Sequence, residues 1–596
     1  MSHGHGDVGR GPTHNYHSGP VSASSGAPSS SLRRLAGSVA SRLPLLVDAY
    51  RYVKHPEWER VVKRDLEETR AGGAFLRALS PAAADAPVAL VALYRDNIYD
   101  TKVGLILATA LRLRGLDPVV LMPNGRGHRI RRYAEAFGIE RVIVADSLAL
   151  SDAEQRECDA AVASLLATDP DIDGMKEWTF RGGGAGYHVL SSLIRATFDG
   201  SPDLKFDENR SRLAAIAHRV AANYVRADRL VAELAPRCLL VEEANYVTNG
   251  PLVDVATSKG IDVISTQTIW RDDALMSKRL TATTRRVDTK SVAPDTFAQI
   301  VTQPWSDTEE AELTTDFDRR YGGAWQQGRQ FQFDTEARSA AELVAELGLD
   351  PDRPTAVVFA HVLWDMSLFF GVDLFANYAD WLEQTVTAAV ANPRVNWVVK
   401  AHPSNVFRVA HGQVGGESSE ANLVRDLFPV LPDHVRLLLP DTKISTRSIY
   451  EFADYGVTVR GTPGLEMACL GKRTLTAGSG SYSGLGFTTD SASCEQYLAR
   501  LATIETEAAM SHEEVRRARV YAHSLFLRRP WRPRSFENRI DFPEGGWHPL
   551  DRNAVLTARR VEEIRAAGDL EQWAAWVLDT EDADFLPTGS VSVLAT

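Results

Sequence analysis

Short apolar runs alternate with helix-length amphipathic stretches along much of the chain, and this alternation most constrains the fold. The first apolar run is 88–94, and a helical stretch follows from Asp100 to Arg114. Runs of this length are typical of strands buried on both faces of a sheet. Strands that are joined by single helices form right-handed βαβ units, and these build parallel sheets. The pattern therefore predicts a doubly wound α/β protein.

The alternation occurs twice, which predicts two Rossmann-type units. In the first unit, further strands are expected at 117–122, 141–145, 238–241 and 261–265, with helices at 128–137 and 252–259 and a helical insertion at 152–236. In the second unit, strands are expected at 355–359, 395–400, 435–439, 456–459 and 473–476, with helices at 375–391, 445–452 and 463–470. Two such units that face each other make a two-domain cleft protein.

The segments outside these units complete the predicted organisation. We expect a disordered tail at 1–32, N-terminal helices at 33–87, a first unit at 88–266, a linker with helices at 267–350, a second unit at 351–505 and a helical C-terminal region at 506–596. The tail is rich in Gly, Ser, His and Pro, which bury too little surface to order themselves. The basic helix expected at 33–54 either packs on the first unit or lies on an anionic membrane surface.

Charge and cysteine usage exclude several classes of protein. The 66 Lys and Arg against 78 Asp and Glu leave a net charge of −12, without the basic surplus of a nucleic-acid-binding protein. The four cysteines form no CxxC pair, so neither a zinc ribbon nor a disulfide framework is indicated. No apolar run approaches the roughly 20 residues of a membrane helix. We expect a cytoplasmic protein, with peripheral contact at the inner face of the membrane left open.

Three loops of the second unit carry groups suited to binding a phosphorylated ligand. Ligands of open parallel sheets bind beyond the carboxyl ends of the strands, and all three loops follow predicted strands. The first loop is Lys400-Ala-His-Pro-Ser-Asn405, in which His402, Ser404 and Asn405 can donate to phosphate or sugar oxygens. Pro403 restricts the backbone around His402.

The second and third loops offer backbone amides. In 460–466, Thr462 is expected to be the N-cap of a helix with Pro463 at its first position, so that the helix start faces a phosphate. Glu466 on the first turn could accept two ribose hydroxyls, or merely stabilise the helix start. The third loop, 477–486, is rich in glycine but matches neither a Walker loop nor a dinucleotide fingerprint.

These motifs together resemble a known family. Trp397-Val-Val-Lys-Ala-His-Pro403, Gly461-Thr-Pro-Gly-Leu-Glu-Met-Ala-Cys-Leu-Gly-Lys472 and Gly480-Ser-Tyr-Ser-Gly-Leu-Gly-Phe487 are similar to segments of the capsular polysaccharide biosynthesis proteins. These are bacterial GT-B glycosyltransferase-like enzymes related to the capsule Kdo transferases. The stretches 357–365 and 238–251 are also similar to that group. The strong part of the resemblance covers 355–490.

The resemblance implies a nucleotide-sugar donor in the second unit and a glycan or lipid-linked glycan acceptor on the first. His402 and Pro403 would contact the donor phosphates, Thr462 and Gly464 would offer helix-start amides, and Glu466 would lie on the ribose. The remaining donor-binding residues implied are Lys400, Ser404, Ser481 and Tyr482. Such enzymes usually need no bound metal, so no metal or other cofactor is expected.

Catalytic groups are sought at strand ends, because glycosyl transfer needs a base or a charge-stabilising group near the anomeric carbon. The candidates are Asp96 (with Asp100), Glu242, Glu243, His361 and Asp365. One carboxylate of the pair Glu242-Glu243 could act as a base with a raised pKa, or both could be structural. Asp96 and Asp100 are equally suited to capping a helix.

The acidic stretch at 169–173 has some features of a metal site. Its alternating Asp169, Asp171 and Asp173 resemble the first half of an EF-hand loop, but the twelfth position is Phe180 instead of Glu. An acidic turn between helices is the favoured interpretation.

The function predicted from the sequence is glycosyl transfer from a nucleotide-activated sugar in capsular or surface polysaccharide assembly. Two alternatives stay open. One is a nucleotide-sugar epimerase or hydrolase on the same architecture, and the other is a non-catalytic glycan-binding or assembly protein on a degenerate enzyme fold.

Overall fold

The computed structural model describes residues 53, 56–95, 97–122, 127–324, 335–364, 368–404, 419–540 and 552–588. The tail expected at 1–32 and nearly all of the basic helix expected at 33–54 lie outside these residues. The described chain forms two six-stranded sheets and a two-stranded pair. The strands are β1 Val88–Ala92, β2 Asp117–Met122, β3 Val142–Val144, β4 Cys238–Val241, β5 Asp262–Thr268, β6 Leu275–Leu280, β7 Thr355–Phe359, β8 Asn396–Lys400, β9 Val435–Leu438, β10 Tyr455–Thr458, β11 Arg473–Thr476, β12 Thr489–Asp490, β13 Phe536–Ile540 and β14 Arg552–Leu556.

Helices cover both sheets. They are α1 Pro56–Gly72, α2 Ala74–Arg77, α3 Ile98–Leu113, α4 Gly127–Ala136, α5 Asp152–Ala167, α6 Ile172–Lys176, α7 Ala185–Thr197, α8 Asp207–Leu234, α9 Tyr246–Ser258, α10 Pro294–Ile300, α11 Asp307–Tyr321, α12 Ala340–Leu347, α13 Tyr378–Ala391, α14 Ser419–Leu427, α15 Thr446–Phe452, α16 Thr462–Cys469, α17 Cys494–Leu501, α18 His512–His523, α19 Val561–Ala567 and α20 Asp569–Asp579. The described helices include none that combines the length and apolar character needed to cross a bilayer.

The first sheet has the order β3-β2-β1-β4-β5-β6. Its first five strands pair in parallel, as the alternation predicts. The expectation of a wholly parallel sheet is wrong at one edge, because β6 runs antiparallel to β5. The sequence pattern does not predict this strand, because the polar residues Ser277, Lys278 and Arg279 interrupt the apolar run that is typical of a buried strand. They are buried because C-terminal residues cover the edge, with Arg279 N–H donating to the carbonyl of Ala583 at 2.8 Å.

The second sheet is wholly parallel and has the order β12-β11-β10-β7-β8-β9. The chain therefore moves outward from β7 in both directions. The sequence located its five longer strands, and β12 is too short to give a pattern. With the first sheet, this makes two doubly wound units.

Helix α9 begins at Tyr246, six residues before the expected start at Leu252. Proline inside a helix removes one backbone donor. In the structure Pro251 lies inside it, and the side chain of Asn223 donates to the carbonyl of Val247 at 2.7 Å. This contact supplies a donor to the carbonyl that the proline leaves without one.

The C-terminal region is not wholly helical as expected, since β13 and β14 form an antiparallel pair. The region packs against both units. Trp531, Phe536 and Trp573 join the core of the first unit, whereas α18 packs against α16 in the second.

The loop after β7 also joins the two units. Trp364 and Leu368 belong to the hydrophobic core of the first unit although they follow a strand of the second. The ring of Phe369 lies 4.8 Å from that of Tyr246, edge to face. The units are thus held together beside the carboxyl ends of their strands.

Candidate functional site

A cavity of about 150 Å³ lies beyond the carboxyl ends of β10, β7 and β8. Chain order reverses between β10 and β7, which makes this the topological switch point where ligands of open α/β sheets bind. The cavity is lined by Arg320, Tyr321, Phe359, Ala360, His361, Lys400, Ala401, His402, Pro403, Thr446, Tyr450, Thr458, Gly461, Thr462, Pro463 and Glu466. Five of the nine predicted donor-binding residues therefore line this cavity together with the predicted catalytic residue His361; the five are Lys400, His402, Pro403, Thr462 and Glu466.

Lys400 places a buried positive charge in the wall of this cavity. It is the last residue of β8 and is 6% exposed. Among the described residues, its ammonium group has no carboxylate within ion-pair distance and no hydrogen-bond acceptor. Burial lowers the pKa of Lys400 to about 8. A buried cation without a counter-ion makes the cavity a favourable place for an anion.

His361 lies two residues after β7, with its imidazole held between the two neighbouring loops. Its Nε2 is 3.1 Å from the hydroxyl of Thr458 and accepts the backbone N–H of Arg460 at 3.4 Å. Burial, and then the charges of Arg460 and His402, lower the pKa of His361 to about 3. The ring is therefore uncharged at neutral pH.

His402 is oriented by its neighbour Ser404. The Nδ1 atom of His402 accepts the backbone N–H of Ser404 at 3.2 Å and lies 2.8 Å from its hydroxyl. Because Nδ1 is an acceptor, the proton of the neutral ring is on Nε2, which can donate. Ser404 is 9% exposed and is not part of the cavity lining, so its described contacts orient the histidine.

The start of α16 offers fewer amides than the sequence suggested. Its N-cap is Gly461, one residue before the expected Thr462, and Pro463 has no N–H. The amide of Gly464 donates to the carbonyl of Gly461 at 3.0 Å. In the described part of the chain, Thr462 N–H is the amide of this turn that is left without an intramolecular acceptor. The helix start can therefore make only a small contribution to anion binding.

Gly464 is required by packing. A Cβ atom at this position would lie 2.2 Å from the hydroxyl of Tyr482, which itself donates to the carbonyl of Gly461 at 2.6 Å. We expect Gly464→Ala to lower the free energy of unfolding by about 1–3 kcal/mol, measured by urea denaturation, because the buried tyrosine must move. The double variant Gly464→Ala with Tyr482→Phe should recover part of the loss. An equal or larger loss in the double variant would contradict the steric explanation.

Glu466 is engaged by residues of the linker. It is 2% exposed, and its Oε1 lies 2.7 Å from Nη2 of Arg320, in ion-pair contact without hydrogen-bond alignment. The hydroxyl of Tyr321 donates to its other oxygen. This carboxylate is expected from the sequence to bind a ribose. In this structure it instead joins α16 to the end of α11.

The glycine-rich loop at 477–486 is also tied to the protein. Tyr521 donates its hydroxyl to the carbonyl of Ser481, and the backbone N–H of Ser479 donates to Val372 at 2.9 Å. Tyr482 is 1% exposed. Neither Ser481 nor Tyr482 lines the cavity.

The switch point of the first sheet, between β1 and β4, holds a second charged group. The guanidinium of Arg95 donates to Glu242 at 2.8 Å and lies 4.0 Å from Asp100. The side chain of Glu242 is 30% exposed. Burial and repulsion from Asp100 nevertheless raise its pKa to about 8, against the attraction of Arg95. A carboxyl group of this kind suits proton transfer near neutral pH.

The remaining catalytic candidates are placed differently. Glu243 accepts the backbone N–H of Asn245 at 3.1 Å. Asp100 lies in the first turn of α3, whose N-cap is Asn97. Asp96 and Asp365 lie outside the described residues, and nothing follows about them.

A segment of the linker lies between the two switch points. The carboxylates of Glu243 and Glu242 on the first unit attract the ammonium group of Lys290, and Asp288 attracts Arg460 on the second unit. The backbone carbonyl of Arg286 accepts the N–H of Gly371 from the loop after β7 at 2.9 Å. The carboxyl ends of both sheets therefore face one cleft.

Sequence reasoning missed the linker residues of the site. Arg320 and Tyr321 end an ordinary amphipathic helix, so neither strand ends nor motifs identify them. The acidic stretch at 169–173 does not contribute. Asp171 caps α6 through Gly174 N–H at 2.8 Å, whereas Asp169 and Asp173 pair with neighbouring basic side chains. The described residues contain no cluster of three metal-ligating side chains.

Comparison with known proteins gives similarity in structure only. No protein-family model and no curated protein sequence matches the chain. The KpsC β-Kdo 2,4-transferase of Thermosulfurimonas dismutans matches 48% of this chain and 79% of its own at 14% identity, with a TM-score of 0.30. The β-Kdo 2,7-transferase of the same KpsC matches 61% of this chain and 96% of its own at 16% identity, with a TM-score of 0.29. A UDP-GlcNAc 2-epimerase from Neisseria meningitidis, bound to UDP-GlcNAc, matches 74% of this chain and 96% of its own at 9% identity, with a TM-score of 0.24.

Two Kdo transferases are among the similar solved structures. Identities and TM-scores this low carry no conclusion about activity, which is argued below from the site. The sheet orders, the two switch points and the shared cleft establish the architecture. The chain is a GT-B-like protein with two Rossmann-type units that face one cleft.

Proposed function

We propose that the protein is a glycosyltransferase that binds a nucleotide-activated sugar in the second unit and transfers the sugar to a glycan or lipid-linked glycan during capsular or surface polysaccharide assembly. The observation that carries this proposal is Lys400. It is a buried cation without a counter-ion among the described residues, and it lines a cavity at a Rossmann-type switch point. Such a charge is costly unless an anionic ligand uses it.

The cavity matches a nucleoside phosphate in its chemistry. Lys400 and His402 provide hydrogen-bond donors at the strand ends. Tyr321, Tyr450 and Phe359 add aromatic surface to the lining. During transfer, Lys400 would stabilise the negative charge on the departing phosphate, a contribution that a bound metal makes in other enzymes. We therefore propose a reaction that does not require a metal cofactor.

Thermal unfolding in the presence of nucleotides tests donor binding. We expect one of CMP, UDP, GDP or ADP, or a sugar derivative of it, to stabilise the protein by about 2.7 kcal/mol at a hundredfold excess over Kd. His402→Ala should reduce the shift, because His402 lines the cavity. His218→Ala is the control, since His218 is 44% exposed on the helical insertion. No shift from any nucleotide would favour a non-catalytic glycan-binding protein.

Glu242 is the proposed general base, which removes the proton of the acceptor hydroxyl. Only its ionised form can accept a proton, and its pKa in the free protein is about 8. We therefore expect kcat/KM to rise with pH up to about 8. Above that pH it should fall, because Lys400, whose pKa is also about 8, loses the charge that binds the donor. Glu242→Gln should lower kcat by roughly a hundredfold or more, whereas Glu243→Gln should have a much smaller effect. A flat profile between pH 6 and 9 would contradict this assignment.

Product analysis separates transfer from the alternatives on this architecture. A transferase releases the free nucleotide only together with a glycosylated acceptor. Conversion of the nucleotide sugar to an isomer without any acceptor would instead identify an epimerase. Release of sugar and nucleotide into water at the full rate would identify a hydrolase.

A further inference from the structure

The hydrogen bonds around His361 define which ring nitrogen carries the proton. The backbone N–H of Arg460 can only donate, so Nε2 of His361 must accept. The hydroxyl of Thr458 lies 3.1 Å from the same Nε2 and also accepts the N–H of Gly461 at 3.3 Å. Its own hydrogen is therefore free to point at the imidazole. Both contacts require the neutral ring to be protonated on Nδ1.

The Nδ1–H group has no partner among the described residues. His361 lines the cavity, and both of its polar contacts there are made through Nε2. The ring thus presents one fixed donor to the space beside Lys400.

Neighbouring aromatic rings hold the imidazole in place. Tyr378 stacks on it, with ring centroids 4.5 Å apart and planes inclined by 21°. Trp381 meets its edge, with centroids 5.8 Å apart. Rotation of the ring would break these contacts and leave the N–H of Arg460 without its acceptor.

The charges around the ring keep it neutral. The groups that face it are Arg460 after β10, with Asp373 as its partner, and Lys400 and His402 at the end of β8. Burial comes first, and Arg460 and His402 add to it, in lowering the pKa of His361 to about 3. A second proton on Nε2 would also displace the N–H of Arg460.

From this geometry we infer that His361 is a permanently neutral hydrogen-bond donor, which binds an anionic phosphate oxygen of the donor through Nδ1–H and takes no part in proton transfer. This inference rests on the proposed function for the identity of the anion. It replaces an acid–base role for His361 by a binding role, and it leaves Glu242 and Lys400 as the groups responsible for the dependence of activity on pH.

Two substitutions distinguish the ring nitrogens. The amide nitrogen of Asn reaches the place of Nδ1, whereas that of Gln reaches the place of Nε2. With CMP and UDP as probes, we expect His361→Gln to weaken binding by roughly tenfold or more, the value of one hydrogen bond to a charged group. His361→Asn should bind at least fivefold more tightly than His361→Gln. The ratio between wild type and His361→Gln should stay constant from pH 5 to 9.

The nitrogen-15 NMR signals of the ring test the donor without any nucleotide. Histidine-labelled wild-type protein, with His361→Gln for assignment, should show a neutral ring protonated on Nδ1 throughout pH 5–9. A proton on Nε2, titration within this range, or equal affinities of the Asn and Gln variants would overturn the inference. If none of CMP, UDP, GDP and ADP binds, the proposed donor is wrong, and the NMR result still decides whether His361 is a fixed neutral donor.

Discussion

Lys400→Met should give a protein that is more stable without ligand and unable to bind a nucleotide. The lysine is 6% exposed, and burial lowers its pKa to about 8. A depression of this size corresponds to about 3 kcal/mol of unfavourable free energy in the charged form. Methionine keeps most of the aliphatic volume and removes the charge. We therefore expect a gain of about 1–3 kcal/mol in the free energy of unfolding at pH 7.

The pH dependence of this gain identifies the lysine as its cause. Below pH 8, Lys400 is charged in both the folded and the unfolded protein, so the full cost is present. Between pH 8 and about 10.4, the folded protein loses this proton before the unfolded chain does, and the wild type recovers stability. The difference between Lys400→Met and wild type should therefore shrink as the pH rises through this range.

A matched control is Lys205→Met, whose lysine side chain is 70% exposed. This variant should change stability by less than about 0.5 kcal/mol and keep the thermal shift produced by the nucleotide. Urea denaturation and nucleotide titrations on the three proteins check both halves of the prediction. A Lys400→Met protein that is less stable than wild type, or that binds as well, would refute the assignment of Lys400 as an unpaired anion-binding group.

The sequence predicted the strands of both units because parallel strands that are buried on both faces must be apolar. It failed at β6, where Lys278 and Arg279 occupy a buried edge strand. These charges are buried because residues near the C-terminus, about 300 positions away, provide partners for them. Patterns within a short window contain no information about such partners.

The candidate site also combines features that local sequence predicts with contacts between distant residues that it does not predict. Lys400, His402 and His361 follow strands at a switch point, so topology alone brings them together. The pairing of Glu466 with Arg320 joins residues nearly 150 positions apart. Local sequence could not predict it, because a helix-start carboxylate that binds ribose would have the same neighbours in the sequence. The crowding of Gly464 against Tyr482 also depends on tertiary packing. Local sequence therefore identified the residues near the ligand but not the contacts that already occupy some of them.

Asp584→Ala should produce the largest loss of stability, because Asp584 neutralises two buried cations. It is 2% exposed, with Nζ of Lys278 at 2.7 Å and the guanidinium of Arg529 at 3.2 Å. Burial alone would raise the pKa of Asp584, but Arg529 and Lys278 hold it below the usual value. Removal of the carboxylate leaves both cations without a counter-charge, which costs about 3–5 kcal/mol.

The exposed Asp582, two residues earlier, provides the control. Asp582→Ala should change stability by less than about 0.5 kcal/mol, since its described contacts are made through the backbone carbonyl. Asp584→Asn should be intermediate, because an amide can still accept the N–H of Ala293 but carries no charge. The contribution of Asp584 should persist above about pH 4 and be lost as acid protonates the carboxylate in the folded protein.

The same substitution should also lower activity, because this ion cluster anchors the segment between the two switch points. Asp584 accepts the N–H of Ala293 at 2.6 Å, and Arg529 donates to the carbonyl of Thr289 at 3.3 Å. Asp288 and Lys290, which face the two units across the cleft, lie directly on either side of Thr289. We expect Asp584→Ala to lower kcat/KM even at temperatures where it stays folded, as judged by circular dichroism. Full activity in a folded but destabilised variant would show that the cluster stabilises the protein without positioning the cleft.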